Sequence, residues 1–252
     1  MKPVALLGAA AVLCLAELSS AQADRVTVLY GNDLGQPSVF DAQTASTALT
    51  YQTPLGAALT RLGGSHRFGQ FDDLVDQQLW FSRGAWHWHV NFAASTTHRV
   101  APLWRGALSL EHPTGVTGLT WTAGLSSAVY TGAAGRHAPE ALQAGGNYYF
   151  GNDYVGASVH ETWMQGHHVT VLIGHGYAQV TPRDSLNLYT AWGHDMEPLG
   201  PDLIEAVSVR SLMLVWQHKV TSRFAWQVGL GRALTAPGSR VTETQLGASW
   251  AF

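Results

Sequence analysis

The sequence is poor in cysteine, lysine and charge. Its one cysteine, Cys14, lies in an N-terminal apolar stretch, so removal of residues 1–23 would exclude disulfides, thiolate metal sites and cysteine nucleophiles. A lipidated Cys14 is the alternative, but it requires a small preceding residue and Leu13 stands there. Lys219 is the only lysine after residue 23, and charged residues form 12% of the chain, about half the usual share for a soluble domain. The net charge of −3 gives no indication of a nucleic-acid partner.

Long apolar stretches are also absent after residue 23. Residues 1–23 predict a cleaved secretory signal peptide, because they combine a positive start, a short apolar stretch and a small-x-small cleavage site. These features are Lys2, Pro3 to Leu15, and Ala21-Gln22-Ala23 before Asp24. No later stretch approaches the roughly 20 residues that a membrane helix needs. Residues 24–252 are therefore predicted to form one domain, which can cross a membrane only as a closed β-barrel that bonds its backbone internally.

Aromatic residues and glycine are plentiful, with ten Trp, eight Tyr, eight Phe and 27 Gly. The strand predicted from about Val241 to Phe252 alternates in polarity, and successive side chains of a strand point to opposite faces. Its mostly apolar face is Thr242, Thr244, Leu246, Ala248, Trp250 and Phe252. Its other face is Val241, Glu243, Gln245, Gly247, Ser249 and Ala251. This pattern is typical of a barrel strand with one face in lipid and one in a hydrated lumen.

Turn-forming residues divide the rest of the chain into similar segments. We predict fourteen strands, near 25–31, 42–52, 56–66, 72–82, 85–95, 103–112, 119–130, 140–150, 154–164, 168–181, 185–194, 205–218, 223–233 and 240–252. Bacterial single-chain barrels have an even number of strands, and twelve is the alternative because the first strand is short. The predicted fold class is all-β, a single transmembrane antiparallel up-and-down β-barrel. A soluble periplasmic β-sandwich that binds a ligand is the alternative.

The segments differ in how clearly their two faces separate. Residues 85–95 are clearest, since Trp86, Trp88, Val90 and Phe92 alternate with His87, His89, Asn91 and Ala93. In the segment from His168, the apolar face is Val169, Val171 and Ile173, opposite Thr170, Leu172, Gly174 and Gly176. Residues 206–216 are apolar on both faces and cannot be oriented from their pattern.

The predicted connections alternate in length. Short turns are expected at 53–56, 82–84, 113–115, 151–153, 182–184 and 221–222. Longer connections are expected at 32–41, 67–71, 96–102, 131–139, 194–204 and 235–239, with the short 165–167 as an exception. Outer-membrane barrels combine short periplasmic turns with longer external loops, so this alternation favours the barrel over the sandwich.

Four short motifs keep their order and spacing along the chain. They are Arg67-Phe68-Gly69, His98-Arg99 before Pro102-Leu103-Trp104, Tyr148-Tyr149-Phe150-Gly151-Asn152, and Val209-Arg210-Ser211-Leu212. Together they resemble the YaiO-type outer-membrane β-barrel family over essentially all of residues 24–252. The resemblance implies a barrel with no established enzymatic activity, and some members are associated with polysaccharide-related export. It supplies no catalytic or cofactor-binding residue.

The end of the sequence resembles the signal that the barrel assembly machinery recognises. That signal is a polar residue, any residue, glycine, two further residues, and two aromatic or apolar residues separated by one. Gln245, Gly247, Trp250 and Phe252 occupy these positions. An ordinary edge strand with aromatic residues is the alternative. The signal implies the assembly machinery, outer-membrane lipid and lipopolysaccharide as partners, and the cell outer membrane as the location.

Four polar residues are candidates for the lumen. His87, His89 and Asn91 share one face of a strand, and His160 is expected to project inward from another strand. The two histidines would bind zinc or copper if a neighbouring strand supplied a third ligand. A hydrated lumen in which histidine replaces the scarce lysine is the simpler interpretation. We therefore predict no metal and no other cofactor.

An outer-membrane enzyme that modifies lipid or sugar is the competing functional class. A lipid hydrolase needs a serine beside a histidine at the membrane-facing rim, with a third group to orient the histidine. Ser158 and His160 share a face and are the only candidate pair. Asp72, Asp73 and Asp76 cluster where a strand begins, and we expect them to be solvated at the rim rather than to form a paired-carboxylate site.

The aromatic residues near predicted strand ends are expected to form interfacial girdles, with a carbohydrate-stacking track as the alternative. They are Tyr30, Trp86, Trp104, Trp163, Trp192, Trp250 and Phe252. Arg99, Arg105 and Arg232 are expected to be scattered rim charge, with pore lining or contact with lipopolysaccharide phosphates as alternatives. The predicted function is a structural role, passage of small solutes or a link to polysaccharide export, with no catalysis.

Overall fold

The computed structural model describes residues 23–36, 38–132, 135–200, 203–235 and 239–252. The predicted signal peptide lies outside these residues, except for Ala23. The strands are β1 Ala23–Gln36, β2 Ala42–Gln52, β3 Ala57–Arg67, β4 Gln70–Arg83, β5 Trp86–Ala94, β6 Trp104–Pro113, β7 Leu119–Gly132, β8 Gly135–His137, β9 Glu140–Phe150, β10 Asp153–Met164, β11 His167–Gln179, β12 Asp184–Gly200, β13 Leu203–Lys219, β14 Phe224–Thr235 and β15 Ser239–Ala251. A short 3-10 helix spans Ser38–Phe40. In the described ranges, no helix is long and apolar enough to cross a bilayer.

Fourteen of these strands form one closed antiparallel barrel. Each strand pairs with the next along the chain, except that β7 pairs with β9 and the short β8 pairs with β7 as an extra strand. Pairing of β1 with β15 closes the barrel, with Val26 opposite Trp250 and Asn32 opposite Thr244. The predicted fold class and the count of fourteen are confirmed. The twelve-strand count and the sandwich are wrong.

Two predicted long connections are wrong because the strands continue through them. β12 and β13 stay paired from Asp184 opposite His218 to Gly200 opposite Leu203, so most of 194–204 is strand. Glycine and proline in this segment suggested a loop, but each strand supplies the hydrogen-bond partner that the other needs. β1 likewise reaches Gln36, five residues beyond its predicted end at 31.

The connection predicted at 67–71 is a two-residue turn. Phe68 and Gly69 both have positive φ, 53° and 71°, which matches the type I′ turn that suits the twist of a hairpin. A phenylalanine is unusual in this conformation. Its ring packs edge-on against Phe40 with centroids 6.2 Å apart, and the Arg67 guanidinium lies 4.7 Å from the ring centroid. These contacts offset the backbone cost of the turn.

The outer surface of the barrel is mostly apolar. Leu230, Leu246 and Trp192 are 63%, 55% and 64% exposed, and all point outward from the register of their strands. Contiguous exposed apolar surface of this kind marks a contact with a membrane or a partner. The predicted faces of the last strand are confirmed, because Leu246 and Trp250 lie outside while Gln245 and Gly247 lie opposite inward residues of β14.

Aromatic residues ring the outside of one end of the barrel. We call the end that carries Ala23 and Phe252 the lower end, and the opposite end the upper end. Pairs of outward aromatic rings at the lower end include Trp86 with Trp121 at 5.6 Å, Phe224 with Trp250 at 5.9 Å, and Trp216 with Trp226 at 4.7 Å. Trp104 and Trp163 lie outside near the upper end. This arrangement matches an interfacial girdle.

Two residues expected in the girdles lie elsewhere. Tyr30 and Trp192 point outward but fall in the middle of β1 and β12, because both strands extend farther upward than their patterns indicated.

The inward face of β11 is opposite to the one that its polarity suggested. Val171 pairs with His160 and Ile173 with Ser158, both on the lumen side of β10, whereas Leu172 lies outside and is half exposed. Alternate residues of a strand lie on the same face. Because His175 and Tyr177 share a face with Val169 and Val171, all four side chains point into the lumen. On β13, which had no clear pattern, Val207, Val209 and Val215 are inward and buried, while Leu212, Leu214 and Trp216 lie outside.

Candidate functional site

The lumen contains a charged cluster that four neighbouring strands build in register. Arg61 on β3 pairs with Asp76 on β4, Gln78 pairs with Asn91 on β5, and Ala93 pairs with Arg105 on β6. We call Arg61, Asp76, Gln78, Asn91 and Arg105 the lumen cluster. Each of these residues has the inward parity of its strand, so the barrel's cross-strand register brings them together.

Asp76 is the centre of the lumen cluster and is 0% exposed. Its Oδ1 accepts hydrogen bonds from Asn91 Nδ2 at 2.7 Å and Gln78 Nε2 at 3.2 Å. Its Oδ2 lies 3.4 Å from Arg105 Nη2 and 4.0 Å from Arg61 Nη1. A buried carboxylate is costly unless it is paired and hydrogen-bonded, and both conditions hold here. The two guanidinium groups stay partly exposed, so they present positive charge to the lumen.

The cluster faces a cavity of about 610 Å³ that crosses the lumen. Arg61, Asp76, His89 and Arg105 line one side, and the other side includes Gln143, His160, Val171 and Asp195. Eight strands give an interior that side chains fill, and fourteen give a wider one. The cavity is thus a water-accessible section of the lumen with ionisable groups on both sides.

The structure places His87, His89 and Asn91 on the inward face of β5, as expected from their spacing. His89 Nε2 lies 3.3 Å from Gln78 Oε1, and its ring stacks on Trp80 at 4.8 Å with 5° between the planes. His87 Nδ1 lies 2.8 Å from Ser82 Oγ, nearer the lower end. Within the described ranges, no three His, Cys, Asp or Glu side chains are grouped to hold a metal ion.

His160 also lies in the lumen and contacts Ser158. Ser158 Oγ and His160 Nε2 are 2.9 Å apart, so the candidate hydrolase pair does form a hydrogen bond. However, both side chains face the cavity, which Asp195 also lines. A lipid hydrolase needs its serine on the membrane side, where the substrate is. This position does not meet that requirement.

The prediction of solvation at the rim is wrong for Asp72 and Asp76, which are buried, whereas Asp73 is half-exposed at the upper end of β4. Asp76 belongs to the lumen cluster, and Asp72 is 2% exposed beneath residues 95–103, which connect β5 to β6. Asp72 accepts three backbone N–H bonds, from Arg99 at 2.6 Å, Val100 at 2.6 Å and Ala101 at 2.7 Å. We call residues 95–103 the anchored loop.

Asp73 holds the start of the anchored loop from the other face of β4. It accepts bonds from the backbone N–H groups of Thr96 and Thr97 at 2.9 and 3.0 Å, and from the hydroxyls of Ser95, Thr96 and Thr97. β4 extends above the end of β5, so two consecutive aspartates reach the loop from opposite faces. The run of three hydroxyl side chains at Ser95, Thr96 and Thr97 was the feature of the sequence that could have indicated this contact.

The three arginines that were predicted to be rim charge occupy three different environments. Arg105 lines the lumen, Arg99 lies in the anchored loop with Nη1 3.0 Å from Gln70 Oε1, and Arg232 points outward from β14. The prediction of scattered rim charge is therefore wrong for Arg105. Pore lining was the alternative prediction for this residue. Arg61 and Gln78 were not predicted to line the lumen, although Gln78 lies on the same face of β4 as Gln70, Asp72 and Asp76.

The proposed assembly-signal residues occupy both faces of β15. Gln245 and Gly247 face inward, Trp250 faces outward at the lower end, and the exposed Phe252 directly follows the strand. A side chain at Gly247 would place its Cβ 2.6 Å from Leu29 Cδ2 and 2.8 Å from Gln227 Cγ. The glycine therefore has a packing reason in the folded barrel, independent of any recognition during assembly.

Comparison with known proteins supports the fold. No protein-family model matches the chain, and no curated protein matches it. Among solved structures, it is similar to the CymD monoaromatic hydrocarbon channel, with a TM-score of 0.56, 9% identity, and coverage of 96% of this chain and 92% of that chain. It is also similar to a bacterial polysaccharide outer membrane secretin, with a TM-score of 0.54, 9% identity, and coverage of 92% and 99%.

A third similar structure is the anion-selective porin from Comamonas acidovorans, with a TM-score of 0.52, 12% identity, and coverage of 90% of this chain and 98% of that chain. The three descriptions name different solutes on one architecture, so the likeness does not identify a substrate. The chain has the outer-membrane β-barrel fold of porins and channels.

Proposed function

We propose that the protein resides in the outer membrane and lets small hydrophilic solutes pass through its lumen. The observation that carries this proposal is the cavity across the lumen, lined by polar and charged side chains rather than by a packed apolar core. The apolar exterior and the lower girdle support the membrane location. In this orientation the lower end faces the periplasm, and the anchored loop faces outward.

The lumen cluster would act as the selective section of this pathway. Asp76 is enclosed, whereas the guanidinium groups of Arg61 and Arg105 reach the cavity, so a passing ion meets positive charge on this wall. Low-dielectric walls focus the field of such groups along a narrow path. We therefore propose a preference for anions in this section.

Several finer assignments belong to the same proposal. The four motifs support the YaiO type, and that resemblance supports a link to polysaccharide export. The signal-peptide pattern supports delivery across the inner membrane with cleavage at Ala23. The pattern of Gln245, Gly247, Trp250 and Phe252 supports recognition by the barrel assembly machinery. We also propose that the protein has no catalytic role, since Ser158 and His160 face the lumen rather than lipid.

Conductance in a planar bilayer tests the passage function. Residues 24–252, refolded and inserted, should give discrete current steps, and a reversal potential in a salt gradient should show anion preference. Arg105→Ala should shift the reversal potential towards cations, while Arg232→Ala, on the outer face, should leave it unchanged. A barrel that inserts without current steps, or equal reversal potentials for the wild type and Arg105→Ala, would refute the proposal.

A further inference from the structure

A row of tyrosine side chains lines the lower half of the lumen. Tyr149 pairs with Tyr154, and Tyr154 pairs with Tyr177, on three adjacent strands. Their ring centroids are 5.6 and 6.1 Å apart, and the second pair is nearly parallel at 15°. Tyr189 lies opposite His175, one level higher on β12. Large aromatic residues of a barrel normally lie outside in the girdle, so this inward group requires its own explanation.

Tyr154 and Tyr177 are half-buried, and two neighbouring inward tyrosines are more exposed. Tyr149 and Tyr189 are 39% and 48% exposed although both point away from the outer surface. Tyr149 also lines a lower cavity of about 690 Å³ together with Trp80, His87 and Glu111. This volume lies within the range of about 300–1,000 Å³ for small-ligand sites. Aromatic surfaces from β4 and β9 thus border one water-accessible space.

The polar groups around these rings are hydroxyls, amides and the carboxylate of Glu111. Glu111 Oε1 accepts bonds from the Thr120 hydroxyl, from Asn147 Nδ2 at 3.1 Å and from the Tyr149 hydroxyl at 2.9 Å. All three donors use Oε1, which leaves Oε2 for a further donor. Among the described inward residues of β9 to β12, there is no arginine or lysine. The wall is therefore rich in hydrogen-bonding groups and has no fixed positive charge.

We infer that the lower lumen is a binding site for neutral saccharides, which stack on Tyr149, Tyr154 and Tyr177. A pyranose presents C–H groups on its flat face and hydroxyls at its edge. Aromatic ring faces carry negative electrostatic potential and attract the C–H face, while amides and carboxylate oxygens bind hydroxyls. The absence of arginine and lysine from the described inward residues of β9 to β12 disfavours anionic sugars at this wall, and the many hydroxyl partners disfavour plain hydrocarbons. The physiological meaning of this site rests on the proposed passage function, and the site adds neutral saccharides to the small hydrophilic solutes of that pathway.

Calorimetric titration of the detergent-solubilised barrel tests this site without requiring conductance. Cellotriose is the neutral probe, trigalacturonate is the anionic comparison, and toluene is the aromatic comparison. Tyr149→Leu and Tyr154→Leu should each weaken cellotriose binding about tenfold, the effect of losing one stacking ring. Tyr148→Leu is the matched control, because Tyr148 is the neighbouring residue but points outward. Heat-modifiable migration on gels confirms that each variant is folded.

The outcomes separate this site from the passage function. Cellotriose binding that is weakened about tenfold in both inward variants and kept in Tyr148→Leu supports the site. No cellotriose binding, tighter binding of trigalacturonate or toluene, or equal losses in Tyr148→Leu would overturn it. If cellotriose binds but bilayers show no current steps, the passage function fails and the site stands. If current steps appear but cellotriose does not bind, the site fails alone.

Discussion

Replacing Asp72 with asparagine should release the middle of the anchored loop. The carboxylate accepts one N–H bond on Oδ1, from Arg99, and two on Oδ2, from Val100 and Ala101, all between 2.6 and 2.7 Å. The amide of Asp72→Asn has a single acceptor oxygen. In either orientation its NH₂ group therefore faces at least one backbone N–H, and a donor meets a donor.

The magnitude follows from these bonds. Loss of one charge-assisted hydrogen bond costs about 1.5–3 kcal/mol, and the bonds that remain weaken because their acceptor becomes neutral. A total of about 3 kcal/mol corresponds to an increase of about 100-fold in the population with the loop open. Asp73 should still hold residues 95–97, so the opening should be confined to 98–102.

Limited trypsin digestion of the folded barrel measures this opening, because Arg99 lies within the released segment. Proteolysis follows the open population when the loop opens and closes faster than it is cut. Cleavage after Arg99, identified by mass spectrometry, should accelerate towards 100-fold in Asp72→Asn. Asp41→Asn is the control, since Asp41 accepts a single exposed bond from Gly35 N at the same end. Equal cleavage rates at Arg99 in the wild type and Asp72→Asn would refute this account of the loop.

Three further predictions concern stability and assembly. Asp76→Ala removes the shared acceptor of Asn91 and Gln78 and the counter-charge of Arg61 and Arg105, and should lower the free energy of unfolding by about 1–3 kcal/mol, measured by urea titration in vesicles; an unchanged midpoint would contradict the pairing. Gly247→Leu should reduce the heat-modifiable folded fraction, whereas Gly106→Leu, whose nearest neighbours would lie 3.9 Å from the new Cβ, should fold normally. Deletion of Phe252, which is 71% exposed, should lower folded barrel in cells but not refolding in detergent, and equal losses in both would argue against an assembly signal.

Polarity alternation predicted most of the barrel because one face of each strand meets an apolar exterior. β15 shows this well, since Leu246 and Trp250 alternate with Gln245 and Gly247. The same rule failed for β11, where Val171 and Ile173 face the lumen. Inward valines can pack against their neighbours across the lumen wall, so an apolar residue does not identify the outer face. His175 and Tyr177, farther along the strand, were the better indicator of its orientation.

The lumen cluster was beyond sequence reasoning for a different reason. Parity along one strand predicts which side chains share a face, but Arg61, Asp76 and Arg105 come from three strands. Their meeting depends on the register of β3, β4, β5 and β6, and no single-sequence pattern specifies that register. The tyrosine row on β9, β10 and β11 has the same origin. In both cases the sequence shows which residue types are present, but it does not show which residues of other strands lie beside them.

The two-residue turns at the upper end limit what the protein presents to its surroundings. β3 and β4 are joined by Phe68 and Gly69, and β10 and β11 by Gln165 and Gly166, whose glycines have open space around them. A specific protein interface buries roughly 800 Å² on each partner, far more than such turns offer. Antibodies and phage receptor-binding proteins would therefore find little surface to bind at these two turns. In the proposed orientation, these two short hairpins would lie hidden beneath the lipopolysaccharide sugars.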